Sequence, residues 1–107
     1  PAGPIYAAAP GRILEARVST GYGNMILIDH GGGVYTRYAH LAYFADGIHA
    51  GSEVGFGQQI GMMGQSGNAT AVHLHFEILT GNYNNPRGSK GLAPRNPFEF
   101  PAYNPGS

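Results

Sequence analysis

Apolar residues along this chain come in short runs closed off by glycine, about every ten residues. No window of about 12 or more carries the one-sided stripe of an amphipathic helix. The pattern predicts a mostly β chain, with strands near Ile5–Ala8, Arg12–Ser19, Asn24–Asp29, Gly33–Ala39, Glu53–Val54, Gln58–Met63 and Val72–Leu79. Between them, Thr20-Gly21-Tyr22-Gly23 and His30-Gly31-Gly32-Gly33 hold residues free to take positive φ, which suits tight hairpins. Two hairpins in series make an antiparallel meander the simplest topology. Met25-Ile26-Leu27-Ile28 is apolar at every position, as in a strand covered on both faces, so it is expected at the centre of the sheet and the core. From Asn82 to Pro97 the composition shifts to Asn, Gly, Pro, Arg and Lys, which predicts an exposed loop with one short turn near Asn96-Pro97-Phe98-Glu99.

Composition narrows this to one small domain. The 107 residues include 18 glycines and are 42% hydrophobic, enough apolar surface for a modest core. We expect a single β domain over residues 1–100 and a tail over 101–107, frayed or draped over it. There is no cysteine, which excludes a disulfide framework and a thiolate metal site. Six basic and six acidic side chains cancel, so no broad field steers the chain to nucleic acid or an anionic membrane. The longest aliphatic run, Met25 to Ile28, is far short of a spanning helix, so no membrane insertion is expected. The first residue is Pro1, not methionine, and the chain reads as a processed or excised piece whose left edge is incomplete.

Candidate chemistry sits in the five histidines, His30, His40, His49, His73 and His75. In His73-Leu74-His75-Phe76-Glu77-Ile78, strand alternation puts His73 and His75 on one face and Leu74, Phe76 and Ile78 on the other. Two adjacent imidazoles can hold a divalent ion together, or one can bind it while the other works on bound water. The alternative is an exposed strand face with two solvated histidines. Glu77 shares that face and either orients a histidine or is a solvated strand-end charge. His40, in Tyr38-Ala39-His40-Leu41, ends a predicted strand and either borders the same cleft or bonds to backbone. His30 turns a corner after Asp29 and reads as structural, with Asp29 as a turn acceptor. His49 has no acidic or histidine neighbour and reads as incidental.

Other chemistries find little footing. No serine stands in a Gly-x-Ser-x-Gly elbow, the six carboxylates form no obvious opposed pair, and the glycine turns match neither a phosphate loop nor a dinucleotide fingerprint. Val54 to Gly61 has the cadence of a lipoyl-like carrier, but neither Lys90 nor any other position puts a lysine at a hairpin tip. A phosphocarrier remains conceivable through His73 or His75, and phosphate transfer to them would mark it.

Several segments together resemble a known family. Tyr22-Gly23-Asn24 leading into Ile28-Asp29-His30-Gly31, Tyr38-Ala39-His40-Leu41, Val54 to Gly61, Gly64-Gln65-Ser66-Gly67 and His73-Leu74-His75-Phe76-Glu77 resemble, in order and spacing, the lysostaphin/LytM-type zinc metallopeptidases. The likeness covers Pro1 to Ile78. It implies a lysostaphin-type architecture of the duplicated-hybrid, lipoyl-like kind, and a zinc endopeptidase that cleaves peptides of bacterial peptidoglycan. It also implies an extracellular, periplasmic or virion-associated setting and further domains in a larger parent protein. By that resemblance His75 is the zinc ligand, and His40 and His73 are catalytic, activating water and stabilising an oxyanion. The family's other ligands, a histidine and an aspartate in an H-x-x-x-D segment, precede a Pro-x-Gly stretch like Pro1-Ala2-Gly3, so they are expected upstream of Pro1. With one ligand, the 107 residues are expected to bind zinc weakly and to be inactive or nearly so. Thr70-Ala71-Val72 departs from the usual glycine and proline before H-x-H and bears on loop shape. The alternative is a degenerate peptidase-like domain with a structural, assembly or wall-binding role.

Overall fold

The computed structural model describes residues 3–64, 75–83 and 91–103. Among the described residues, eight strands form one antiparallel sheet: β1 (Pro4–Tyr6), β2 (Gly11–Ser19), β3 (Gly23–Asp29), β4 (Val34–Phe44), β5 (Glu53–Val54), β6 (Gln59–Met63), β7 (His75–Gly81) and β8 (Leu92–Arg95). The expected meander is present as β2-β3-β4, within the order β1-β6-β4-β3-β2-β5, and β7 joins β4 and carries β8. The turn from β3 to β4 runs through Gly31, Gly32 and Gly33, each with φ between +63° and +84°, a run that L side chains resist.

β3 lies between β2 and β4, and Met25 to Ile28 are all buried, as expected of a strand with no wet face. Alternation sends Ile26 and Ile28 into one cluster with Ile13, Tyr38, Leu41 and Ile60, while Met25 and Leu27 join Tyr35, Ala39 and Leu79 in another. The first cluster also takes Ile5 from β1 and Val54 from β5, from opposite ends of the sheet order. The sheet therefore curls around it, and the second cluster lies under the outer face.

The long strand β4 is the scaffold of that outer face. One edge pairs with β3; the other pairs with β7 from Val34 to Ala39 and with β6 from Leu41 to Phe44. β4 was predicted to stop at Ala39 and instead continues for five more residues, so His40 lies inside a strand and not at its end. A second correction concerns the Asn82–Pro97 stretch predicted as loop. Its residues Leu92–Arg95 form β8, paired with Leu92 against Gly81 and Arg95 against Ile78. Ala93, Pro94 and Arg95 are exposed and show no alternation, so only the free edge of β7 makes them a strand. Short 3-10 turns at Pro97–Glu99 and Pro101–Tyr103 follow, and Tyr103 packs on His30 with ring centroids 5.1 Å apart.

His30 is structural, in keeping with its place at a corner. Its Nδ1 meets the Pro10 carbonyl and its Nε2 meets Thr36 Oγ1, both at 2.7 Å, and Thr36 Oγ1 is hydrogen-bonded to the Tyr38 hydroxyl at 3.0 Å. Burial lowers the His30 pKa, with the Pro10 bond and the Asp29 charge opposing it. Asp29 accepts from the Gly31 N–H at 2.8 Å, the turn role expected of it.

Candidate functional site

A one-residue irregularity builds the site. Asn24 pairs with Leu41 and Ile26 with Tyr38, so two steps along β3 answer three along β4, a bulge at Ala39-His40. Tyr38 and Leu41, three apart, both pack into the inner cluster. The extra residue must then turn outward, which puts His40 on the same face as Ala39. Its backbone takes the left-handed conformation at φ +61°, sparsely populated for a side-chain-bearing residue, and is held by its N–H donating to the Tyr22 carbonyl at 2.8 Å. Asn24 Nδ2 clamps the strand beyond it, donating to the Leu41 and Ala42 carbonyls at 2.9 and 3.1 Å.

His75 sits directly opposite Ala39 in the β4–β7 register. Alanine there leaves room above the sheet, and two rings approach His75 edge-on: His40 and Tyr22, each with centroids 5.7 Å away. His40 is buried and His75 half-buried. The structure thus brings together two of the three predicted histidines. His73, the third, lies outside the described residues, as do Thr70-Ala71-Val72 and most of the Gly64-Gln65-Ser66-Gly67 turn.

Next along the register, Arg37 faces Glu77. Arg37 Nη1 donates to Glu77 Oε1 at 3.0 Å and to the Tyr22 hydroxyl at 2.6 Å. Glu77 Oε1 lies 3.6 Å from His75 Nε2, beyond hydrogen-bond length, and that nitrogen is buried without a partner among the described residues. Glu77 is therefore not a strand-end charge: it is a mid-strand, partly buried carboxylate between an arginine and a histidine. Farther out on the same face, the Tyr83 hydroxyl is hydrogen-bonded to Glu15, which also accepts from Arg17 Nε at 3.1 Å, and the Tyr83 N–H donates to the Tyr35 hydroxyl at 3.0 Å. Burial and the Glu15 carboxylate push the Tyr83 pKa up to about 12.

Sequence reasoning gave no role in the site to Arg37, Tyr22, Glu15 or Tyr83. Arg37 had a signal: a charged residue at the alternation positions of Tyr35 and Ala39 shares their face on a strand otherwise apolar there. Its partner is 40 residues away, and only pairing reveals it. Among the described residues, no group of three or more histidine, aspartate or glutamate side chains comes together as a metal cage.

Comparison with known proteins bears on this face. A family model described as Peptidase family M23 matches residues 1–86. The peptidoglycan DD-endopeptidase ShyA of Vibrio cholerae is 36% identical over 76 residues, 71% of this chain and 17% of ShyA. The DD-carboxypeptidase/endopeptidase Mpg of Neisseria meningitidis is 40% identical over 84 residues, 78% of this chain and 19% of Mpg. The chain thus spans less than a fifth of the length of these relatives. In three dimensions it matches the catalytic domain of lysostaphin from Staphylococcus simulans with a TM-score of 0.75 at 32% identity, covering 91% of this chain and 68% of that one.

Proposed function

Because the chain belongs to peptidase family M23, we propose that it is the hydrolytic domain of a zinc-dependent endopeptidase cleaving peptide bonds in bacterial peptidoglycan, outside the cytoplasm. The observation that carries this is the bulge at Ala39-His40, which sets a second imidazole edge-on to His75 on one open sheet face. Relatives named for peptidoglycan endopeptidase activity support the substrate class.

His75 fits a zinc ligand. It is a half-exposed imidazole beside a carboxylate, the setting in which metal-bound histidines are commonly held. Catalytic zinc takes three protein ligands and keeps one position open. Glu77 is committed to Arg37, so among the described residues His75 is the one ligand this face offers, and the site is completed by donors outside the described residues. When bound, zinc polarises the scissile carbonyl and lowers the pKa of bound water. The chain's own residues do the rest. His40, with its backbone locked by Tyr22, takes up and returns a proton or hydrogen-bonds the oxyanion of the substrate carbonyl, and His73 shares that work. Tyr22 and Ala39 shape the floor on which an extended peptide lies.

The test is digestion of purified peptidoglycan by the whole protein that carries this chain, with products read by mass spectrometry. New peptide termini should appear with zinc, vanish with chelator, and be lost in His40→Ala and His75→Ala. Unchanged cleavage in His40→Ala would remove the proposed role of the bulge. A second reading, a peptidase-like fold with an assembly or wall-binding role, is favoured by the lack of a three-ligand group among the described residues. A whole protein without stoichiometric zinc would establish it. For the 107 residues alone, sub-micromolar zinc affinity by calorimetry would refute the single-ligand view.

A further inference from the structure

Arg37 holds the carboxylate that stands beside His75. Its side chain is 9% exposed, its guanidinium carbon lies 4.7 Å from the Tyr22 ring centroid, and its Nε is buried with no partner among the described residues. An ion pair this deep, with one donor unfilled, contributes little to stability because desolvation offsets the attraction. Its clearest consequence is geometric. Glu77 Oε1, bonded to Arg37 Nη1 at 3.0 Å, is kept 3.6 Å from His75 Nε2. A carboxylate offers only lone pairs, so the ring nitrogen facing it is favoured as N–H. A neutral imidazole has one such proton, and Nδ1 is then left bare. The ring as a whole is 41% exposed while Nε2 is buried, so its accessible edge lies away from Glu77.

We propose that Arg37 is a positioning residue of this site: by pinning Glu77, it sets His75 as the Nε2–H tautomer, with the Nδ1 lone pair free for a ligand. In metal sites a carboxylate on the outer ring nitrogen fixes ring orientation and raises ligand basicity, and its loss weakens metal binding about 10–100-fold. The step from a bare Nδ1 to a metal ligand rests on the peptidase reading above; the tautomer does not.

The experiment reads the tautomer without metal. Long-range proton–nitrogen spectra of the histidine-labelled 107-residue chain, taken at one pH where the rings are neutral, distinguish protonated from bare ring nitrogens; loss of a signal in His75→Gln assigns it. His30 is an internal reference, since its Nδ1 faces the Pro10 carbonyl, an acceptor only, and carries the proton. His75 should show the opposite pattern. Arg37→Met should shift it to a tautomer mixture, as Glu77→Leu does, with His30 unchanged, while Arg37→Lys keeps most of the native pattern. An Nδ1–H ring at His75 in the native chain overturns the proposal whatever the variants do, and so does an unaltered His75 in Arg37→Met. A variant that loses the His30 pattern has unfolded, and the native spectrum then decides. In the whole protein, Arg37→Met should weaken zinc binding about 10–100-fold. Unchanged affinity beside a changed tautomer would refute the link to the metal and leave the tautomer standing.

Discussion

The left-handed backbone of His40 can be tested by exchanging it for glycine and for alanine and comparing the two variants with each other. Both delete the imidazole and its contacts, so their difference isolates the main chain. At φ +61° a residue with a Cβ is strained by about 1–2 kcal/mol, a cost that glycine escapes. Glycine gives back part of that advantage through its greater freedom in the unfolded chain, and about 1 kcal/mol in its favour remains. At a regular strand position the order reverses, with alanine better by about 0.5–1 kcal/mol. An unfolding entropy of about 2.1 cal/mol/K per residue over the 107 residues makes 1 kcal/mol equal to about 4 °C. His40→Gly should therefore melt about 4 °C above His40→Ala by circular dichroism or calorimetry in the same buffer, and in the whole protein both should abolish the proposed endopeptidase activity alike. If alanine melts at or above glycine, β4 has no left-handed residue at that position, and the argument that the bulge turns His40 toward His75 fails.

Three further outcomes follow from other parts of the fold. Gly11→Ala would drive a methyl against the Asp29 carbonyl and to 2.7 Å from Ile28 Cγ2, neither free to move in the β2–β3 ladder, so it should cost about 1–3 kcal/mol in a urea melt; a neutral change would mean the strands are not that close. The lowered pKa of His30 means that below about pH 6.5 the unfolded chain takes up a proton that the fold resists, so stability should fall as pH drops through that range and be fully kept above it. His30→Gln should flatten that slope between pH 7.5 and 5.5, and an identical slope would refute it. Tyr83, raised to about 12, stays protonated in the fold while an unfolded tyrosine ionises near 10; stability linked to it is present below pH 10 and lost as pH rises toward 12. The ultraviolet difference between the native chain and Tyr83→Phe should titrate near 12, and titration near 10 would sink the Glu15 contact.

Much of the fold was legible because a two-residue repeat reports a strand and glycine reports its end. Met25-Ile26-Leu27-Ile28 declared a strand buried on both faces, and the two glycine turns declared the β2-β3-β4 meander. His73-Leu74-His75-Phe76-Glu77 declared its chemical face by the same rule, and that holds for the described His75 and Glu77. β8 was hidden because Leu92-Ala93-Pro94-Arg95 has no pattern of its own and is a strand only by virtue of β7. His40 was recognised as a candidate but misplaced at a strand end, since alternation carries no mark where an extra residue breaks it. Tertiary structure alone decided that Tyr38 and Leu41 share one side and so send His40 to the other. It also decided that Arg37 meets Glu77 across 40 residues. Side-chain direction along one strand is local geometry and can be read from the chain. Bulges and cross-strand partners are settled when two strands compete to bury their apolar faces against a common core, and that competition has no local trace.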